Sequence, residues 1–524
     1  MSLKQQTGAG ADIDEKMAAL VTNANAVRAV SAAVEGTLGP KGLDTMLVDR
    51  FGEVVITNDG VTILTMMEAN HPAAKMLINV ARAQQDEIGD GTTTATVMAG
   101  AMVSAGVEQV ARGVPVARVI EGLKAGVQRG LEVIRAKTRP VEDMTDPVLR
   151  QVALVAGREH HDIADLVVEA ARLIGREKLI EQSFKFSDTV LAEEGAENLV
   201  FRGVIINKER MNRQMPGEVL KAGVLVIDDA LEPEEIEEEA LATEAGFNRY
   251  MELQGQFRKN VQKIIDLGAA LVLVDRGVDD TAEEMLTDAG IMVVQRVAHR
   301  ELQKAAEHTG ARMIKRTGLK RDLEVIRGWL GRADRVYNDE KLEQVWVLDG
   351  GGKPMATVLV GASTAEVVGE RERIAKDAAA SVQAAVRGGI VPGGGAMELA
   401  VVREVEQTRA GIRGMAAYGV DCAIEALKRP MSQIVANAGF NPLEKIGDVI
   451  SAQAETGRES LAVDCDTGNI ADMLEAGVVD PAPVKIYALK AAGEIAEAIL
   501  RIDTIIKKRE EKSQPAPEHV GKSF

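Results

Sequence analysis

Gly89-Asp90-Gly91-Thr92-Thr93-Thr94 follows the acidic approach Gln84-Gln85-Asp86-Glu87 and opens a run of small and apolar residues from Ala95 to Val110. Gly89 and Gly91 allow positive φ and close approach of the backbone to a ligand. The threonines then place hydroxyls and unpaired N–H groups at a helix start, where a phosphate is electrostatically favoured. Asp90 has no basic neighbour in sequence, so a carboxylate aimed at a phosphate implies a cation between them, with Mg²⁺ the usual choice. The same residues would also make an ordinary Asx-type helix cap.

Working outward from this stretch, helical periodicity spans 12–37, 72–88, 92–111 and 116–137. Glu53-Val54-Val55-Ile56-Thr57 and Val61-Thr62-Ile63-Leu64 flank Asn58-Asp59-Gly60, which predicts a hairpin with Asp59 at its tip. Past the breaker Thr138-Arg139-Pro140, helices are expected near 146–155 and 162–175 and strands near 181–192 and 199–206. From residue 207 the style changes. The runs Val224–Ile227, Leu271–Val274 and Ile291–Val294, with helical segments between them, read as buried parallel strands. Glu232–Glu239 is a glutamate run that leads into Phe247, Tyr250 and Phe257: a solvated face, an exposed amphipathic excursion or, more commonly for such a pattern, a core helix. Strands return at 344–348 and 356–360, then helices at 364–388, 430–438 and 484–508. The two ends share one helical style and the middle is α/β, so the economical arrangement is nested.

Bulk properties narrow the function. A chain of 524 residues needs several cores, and 46% hydrophobic content supplies them. A net charge of −18 argues against nonspecific nucleic-acid binding, and no apolar run reaches membrane-spanning length. Cys422 and Cys465 are too few for a disulfide framework. With the early acidic residues Asp12, Asp14 and Glu15 in place of a signal sequence, they lead us to expect a cytoplasmic protein. Walker and Rossmann motifs are absent; Gly521-Lys522-Ser523 has Ala516 where the leading glycine should stand. Glycine-rich turns recur instead at Leu38-Gly39-Pro40-Lys41-Gly42 and Gly393-Gly394-Gly395. Phosphoryl transfer to water needs a metal and a carboxylate to orient the water. Asp90 is the metal candidate, and Asp59 and Asp377 are the candidates for the water. A turn residue and a surface carboxylate are the plain alternatives for these two.

Taken together, Thr37–Gly42, Asn58-Asp59-Gly60, Gly89–Thr94, Asp377 and Gly393–Gly395 resemble the chaperonin nucleotide site in order and spacing. Met46–Asp49, His71–Met76 and Asp275–Asp280 resemble the archaeal, thermosome-like branch, and the mixed character resembles its divergent bacterial group III members. The resemblance implies a multi-domain α/β fold. A mainly helical equatorial domain would come from both ends (1–138 and 391–524), with a small α/β intermediate domain at 139–205 and 354–390. An α/β apical substrate-binding domain would be inserted at 206–353, with a helical lid protrusion near 232–260. It implies ATP and Mg²⁺, with Thr37, Leu38, Gly39, Pro40, Asn58, Gly91, Thr92, Thr93 and Thr94 around the phosphates and Asp90 on the metal. Asp59 and Asp377 would activate the water, Gly394 would contact the nucleotide, Asp480 the ribose, and Asp464 and Cys465 the adenine. Arg158 stands where the branch places a γ-phosphate-sensing lysine, a departure because a planar guanidinium is not equivalent to an ammonium. The implied partners are non-native polypeptides and further copies of the chain in stacked rings, eight per ring, with no separate lid protein. A holdase ring that needs no hydrolysis, and an ATP-dependent small-molecule enzyme, are the rival readings.

Overall fold

The computed structural model describes residues 9–48, 50–52, 54–234 and 243–505. The N-terminal segment carries α1 (Ala9–Glu35), β1 (Thr45–Val48), β2 (Val54–Thr57), α2 (Gly60–Met66), α3 (Pro72–Glu87), α4 (Thr92–Ala111) and α5 (Val116–Lys137). α6 (Val148–Ala156), α7 (His161–Ile174), β3 (Val190–Glu194) and β4 (Leu199–Ile206) follow. The central part runs β5 (Glu218–Ile227), α8 (Glu244–Asp266), β6 (Leu271–Val274), α9 (Asp280–Asp288), β7 (Met292–Val294), α10 (His299–Thr309), β8 (Met313–Ile314), β9 (Gly331–Asp339) and β10 (Gln344–Gly350). β11 (Ala356–Ala362) and the long α11 (Ala365–Gly388) lead back. The chain closes with β12 (Ile390–Pro392), α12 (Ala396–Gly411), α13 (Ala417–Asn437), α14 (Pro442–Thr456), β13 (Leu461–Val463), β14 (Ile470–Asp472), β15 (Val479–Pro481) and α15 (Ala482–Leu500).

α4 is buried on nearly every side, as its unbroken run of Ala, Val, Met and Gly allows. Its small residues let neighbours approach closely: a Cβ at Gly106 would stand 2.6 Å from Leu500 on α15. One hydrophobic core therefore draws on residues 20–134 and 391–500 together. Each fully buried Leu or Ile there, such as Leu77 or Leu489, contributes about 1.5–3 kcal/mol.

The large sheet has strand order β3-β11-β4-β10-β9-β5-β6-β7, with β8 beside β5. β5, β6 and β7 are parallel, as their apolar runs suggested, and the short β8, which sequence reading missed, runs parallel to β5. Both faces of β5 are covered: Val224 and Val226 join one core, Leu225 and Ile227 another. β4 spans two groups of strands, with Leu199–Arg202 pairing β11 and Gly203–Ile206 pairing β10.

Two expected elements are different. The hairpin centred on Asn58-Asp59-Gly60 is absent; β2 pairs back to β1, and Asp59 caps α2 instead. Asp59 accepts from the N–H groups of Val61 and Thr62, and Ile63 and Leu64 are buried in the core, so packing overrides the β-preference of Val61-Thr62-Ile63. Only the end of 181–192 is strand: a 3₁₀ turn (Phe186–Thr189) precedes β3. Much of the glutamate run and the tail beyond 505 lie outside the described residues.

Candidate functional site

The Gly89–Gly91 loop is held between α11 and α15. Gly89 (φ +85°) and Gly91 (φ +78°) are in the left-handed region. A Cβ at Gly89 would stand 2.5 Å from the Cβ of Ala380 on α11, and one at Gly91 2.4 Å from Val484 on α15. Glycine is required there because the loop is clamped between two helices. Gln84 holds it from behind, donating to the Asp90 carbonyl at 2.7 Å.

The α2 loop lies against the same turn: a Cβ at Gly60 would meet the Thr93 hydroxyl at 2.3 Å and the Thr92 hydroxyl at 3.1 Å. Asp59 therefore sits beside Thr92 and Thr93. Asp90 does not cap α4, whose first residues receive no side-chain cap bond. Its carboxylate accepts from the N–H of Gly91 (2.6 Å) and from the hydroxyl of Ser381 (2.5 Å) on α11. Burial and the charge of Asp480 push the Asp90 carboxyl up, opposed by the Ser381 bond.

Asp377 is no surface carboxylate; its side chain is 16% exposed. Burial raises its acid well above the ordinary range, and the charges of Asp90 and Asp59 add to that. The Arg158 guanidinium, 3.9 Å away, pulls the other way. Arg158 also meets Glu370 at 2.5 Å, and Glu370 is braced by Arg373 and faces the Thr57 hydroxyl at 3.5 Å. Arg158 and Glu159 both have positive φ, 51° and 62°, an uncommon strained backbone for such residues.

Gly393, Gly394 and Gly395 link β12 to α12, and β12 pairs with β15 so that Val391 faces Asp480. A Cβ at Gly393 would lie 3.2 Å from the Asp480 carboxyl carbon. Thr37 donates its hydroxyl to the Val34 carbonyl, and Asn437 on α13 holds the carbonyl of Leu38 at 2.8 Å. Lys41, next to Pro40, pairs with Asp466 at 2.5 Å and so ties the Thr37–Gly42 loop to the Asp464–Thr467 turn. Within that turn Asp464 accepts from Asp466 N–H and the Thr467 hydroxyl, while the Cys465 thiol is half-buried and pushed up by burial.

Asp59, Asp90, Asp377 and Arg158 thus form one electrostatic group, with Thr92, Thr93, Gly394 and Asp480 around it. Asp464 and Cys465 border the Pro40 loop, apart from the carboxylates. Sequence reading missed Ser381, Glu370 and the pair Glu398–Lys485. A signal for the first two exists: Glu370, Asp377 and Ser381 are spaced by seven and four residues, one face of a helix. The donor set fits a hard divalent cation. Asp59, Asp90 and Asp377 act on one another electrostatically beside one guanidinium, though among the described residues their oxygens do not all lie within 4.8 Å, and the Asn58 side-chain oxygen is buried with no hydrogen-bond partner.

Residues 30–510 match the TCP-1/cpn60 chaperonin family. A thermosome subunit of Pyrococcus abyssi is 35% identical over 503 residues, covering 92% of this chain and 90% of the relative. One of Desulfurococcus is 36% identical over 502 residues, with 92% and 91% covered. A crystal structure of a group III chaperonin in the open state is 48% identical, with a TM-score of 0.85, and covers 94% of this chain and all of that one. The chain belongs to the TCP-1/cpn60 chaperonin family and is similar to its thermosome and group III members.

Proposed function

We propose that this chain hydrolyses ATP to drive a folding chamber built from stacked rings of identical subunits in the cytoplasm, eight per ring, with non-native polypeptides inside. The observation that carries the reading is the meeting of Asp59 and Asp90, on loops of the two-ended helical body, with Asp377 on α11. Thr37–Pro40 and Gly91–Thr94 hold the phosphates, Gly394 and Asp480 the nucleoside, and Asp464 and Cys465 border the base. Asp90 would hold Mg²⁺, with the buried, unpartnered Asn58 side-chain oxygen a further candidate ligand, and the ion would supply charge neutralisation to the phosphates when bound. Asp59 orients a water, and Asp377 takes a proton from it as its oxygen bonds to the γ-phosphorus and the bridging P–O bond breaks. Arg158 favours the charged form of Asp377 against burial and the neighbouring acids, and reports the γ-phosphate.

The domain division of 1–138 with 391–524, 139–205 with 354–390, and 206–353 belongs to the same proposal. In it α11 completes the site only when the connecting domain rests on the nucleotide loops, which couples chemistry to closure. The chamber closes by its own lid near 232–260. The described half of that stretch supports this: Phe247 (55% exposed), Tyr250 (38%) and Met251 (55%) face solvent at the start of α8. The buried residues of α8 begin only at Phe257.

The deciding experiment is Asp377→Ala. Binding of a fluorescent ATP analogue should stay near wild type while phosphate release falls by about 100-fold or more. Undiminished release would remove Asp377 from the chemistry.

A further inference from the structure

Beside the nucleotide loops lies a buried ion triad that the chemistry above does not use. Lys485 stands in the first turn of α15 and Glu398 in the first turn of α12. The Lys485 ammonium is 2.8 Å from Glu398 and 2.7 Å from Asp480. The side chains of Lys485 and Glu398 are 7% and 1% exposed, whereas that of Asp480 is 19% exposed. An ammonium and a carboxylate so deeply enclosed are costly to bury, and they persist only where paired. Their pairing has a direction. Among the described residues no hydrogen bond reaches the Glu398 carboxylate, whose ion pair with this ammonium holds Lys485 on the core side. Lys485 in turn engages Oδ2 of Asp480, and among the described residues no donor meets Oδ1. Asp480 is thereby fixed in orientation against Gly393, with one acceptor oxygen free.

We propose that Glu398 and Lys485 are positioning residues that aim the free oxygen of Asp480 at the vicinal hydroxyls of a ribose, making the site selective for ribonucleotides over 2′-deoxyribonucleotides. This rests on the ATP reading. A carboxylate held rigidly to accept from both vicinal hydroxyls loses the 2′ bond with a 2′-deoxy sugar, and a site built around such a bond discriminates. A carboxylate free to swing would take a water instead.

The test compares the KM for ATP with the KM for 2′-deoxy-ATP in the assembled full-length protein. Wild type should prefer ATP by about tenfold or more. The charge-balanced double variant Lys485→Met/Glu398→Gln should bring the ratio to within about twofold of unity. A merely structural role would lower the melting temperature and shift both KM values together, leaving the ratio unchanged. That result, in a variant that still assembles, overturns the proposal. If the double variant does not assemble, Glu398→Gln alone decides: an intermediate ratio supports the proposal and a wild-type ratio overturns it. A wild-type protein that hydrolyses both nucleotides equally also overturns it, whereas one that hydrolyses neither refutes the ATP reading itself.

Discussion

Arg158 shows how one residue sets the working pH of another. Asp377 must be charged to take a proton, yet burial, Asp90 and Asp59 all favour its neutral form. Arg158 is the group that favours the charged form. Removing it raises the Asp377 pKa further, so the carboxylate is lost at a higher pH as acid is added. For Arg158→Ala the acid limb of the kcat–pH profile should therefore move to higher pH. Arg158→Lys, restoring a charge without the fork that meets Glu370, should recover part of that shift. The profile of phosphate release against pH measures both. An acid limb that stays in place in the alanine variant would show that the guanidinium does not act through Asp377.

At the scale of elements, the site depends on how closely α11 rests on the Gly89–Gly91 turn. The contact leaves no room: Gly89 has positive φ and its missing Cβ is the space Ala380 occupies. Gly89→Ala adds both backbone strain and a steric clash, expected to cost about 1–3 kcal/mol. Because the turn and the helix each carry an acid of the site, turnover should fall more than stability does. Denaturant midpoints and steady-state ATPase rates, measured on the same preparation, check this. Equal losses in both would mean that the contact is packing alone. The turn and the helix were both legible, since Gly-Asp-Gly-Thr and the periodicity of 364–388 name them. Their contact was not, because Ser381 and Asp90 are 291 residues apart and nothing in either segment specifies the other.

For the whole molecule, the proposed closure would turn about the places where the chain passes between its parts. Arg139 and Ile390 exchange both backbone hydrogen bonds where the chain leaves and re-enters the two-ended body. Farther out, the nearly buried Lys178 is shared by Glu181 and by Glu307 on α10, joining the segment after α7 to the central sheet. The first half of α8 takes no part in these contacts and buries none of its residues. Deleting 237–256 should therefore leave the ATPase rate near wild type while a captured substrate becomes accessible to protease in the presence of ATP. Continued protection would place the closing element elsewhere.

What the sequence by itself determined are the features carried by local pattern. These are the long helices, the buried parallel strands, the α/β centre between two helical ends, and the loops where glycine is obligatory. Each follows from periodicity or from the steric freedom of one residue. Only the tertiary structure decided that Asn58-Asp59-Gly60 opens a helix, because the burial of Ile63 and Leu64 against distant residues outweighs the turn preference of the tripeptide. It alone decided that Asp377 is enclosed among other acids and that Lys485 lies between Glu398 and Asp480. Charge and burial depend on what packs nearby in space, and that neighbourhood is assembled from segments hundreds of residues apart.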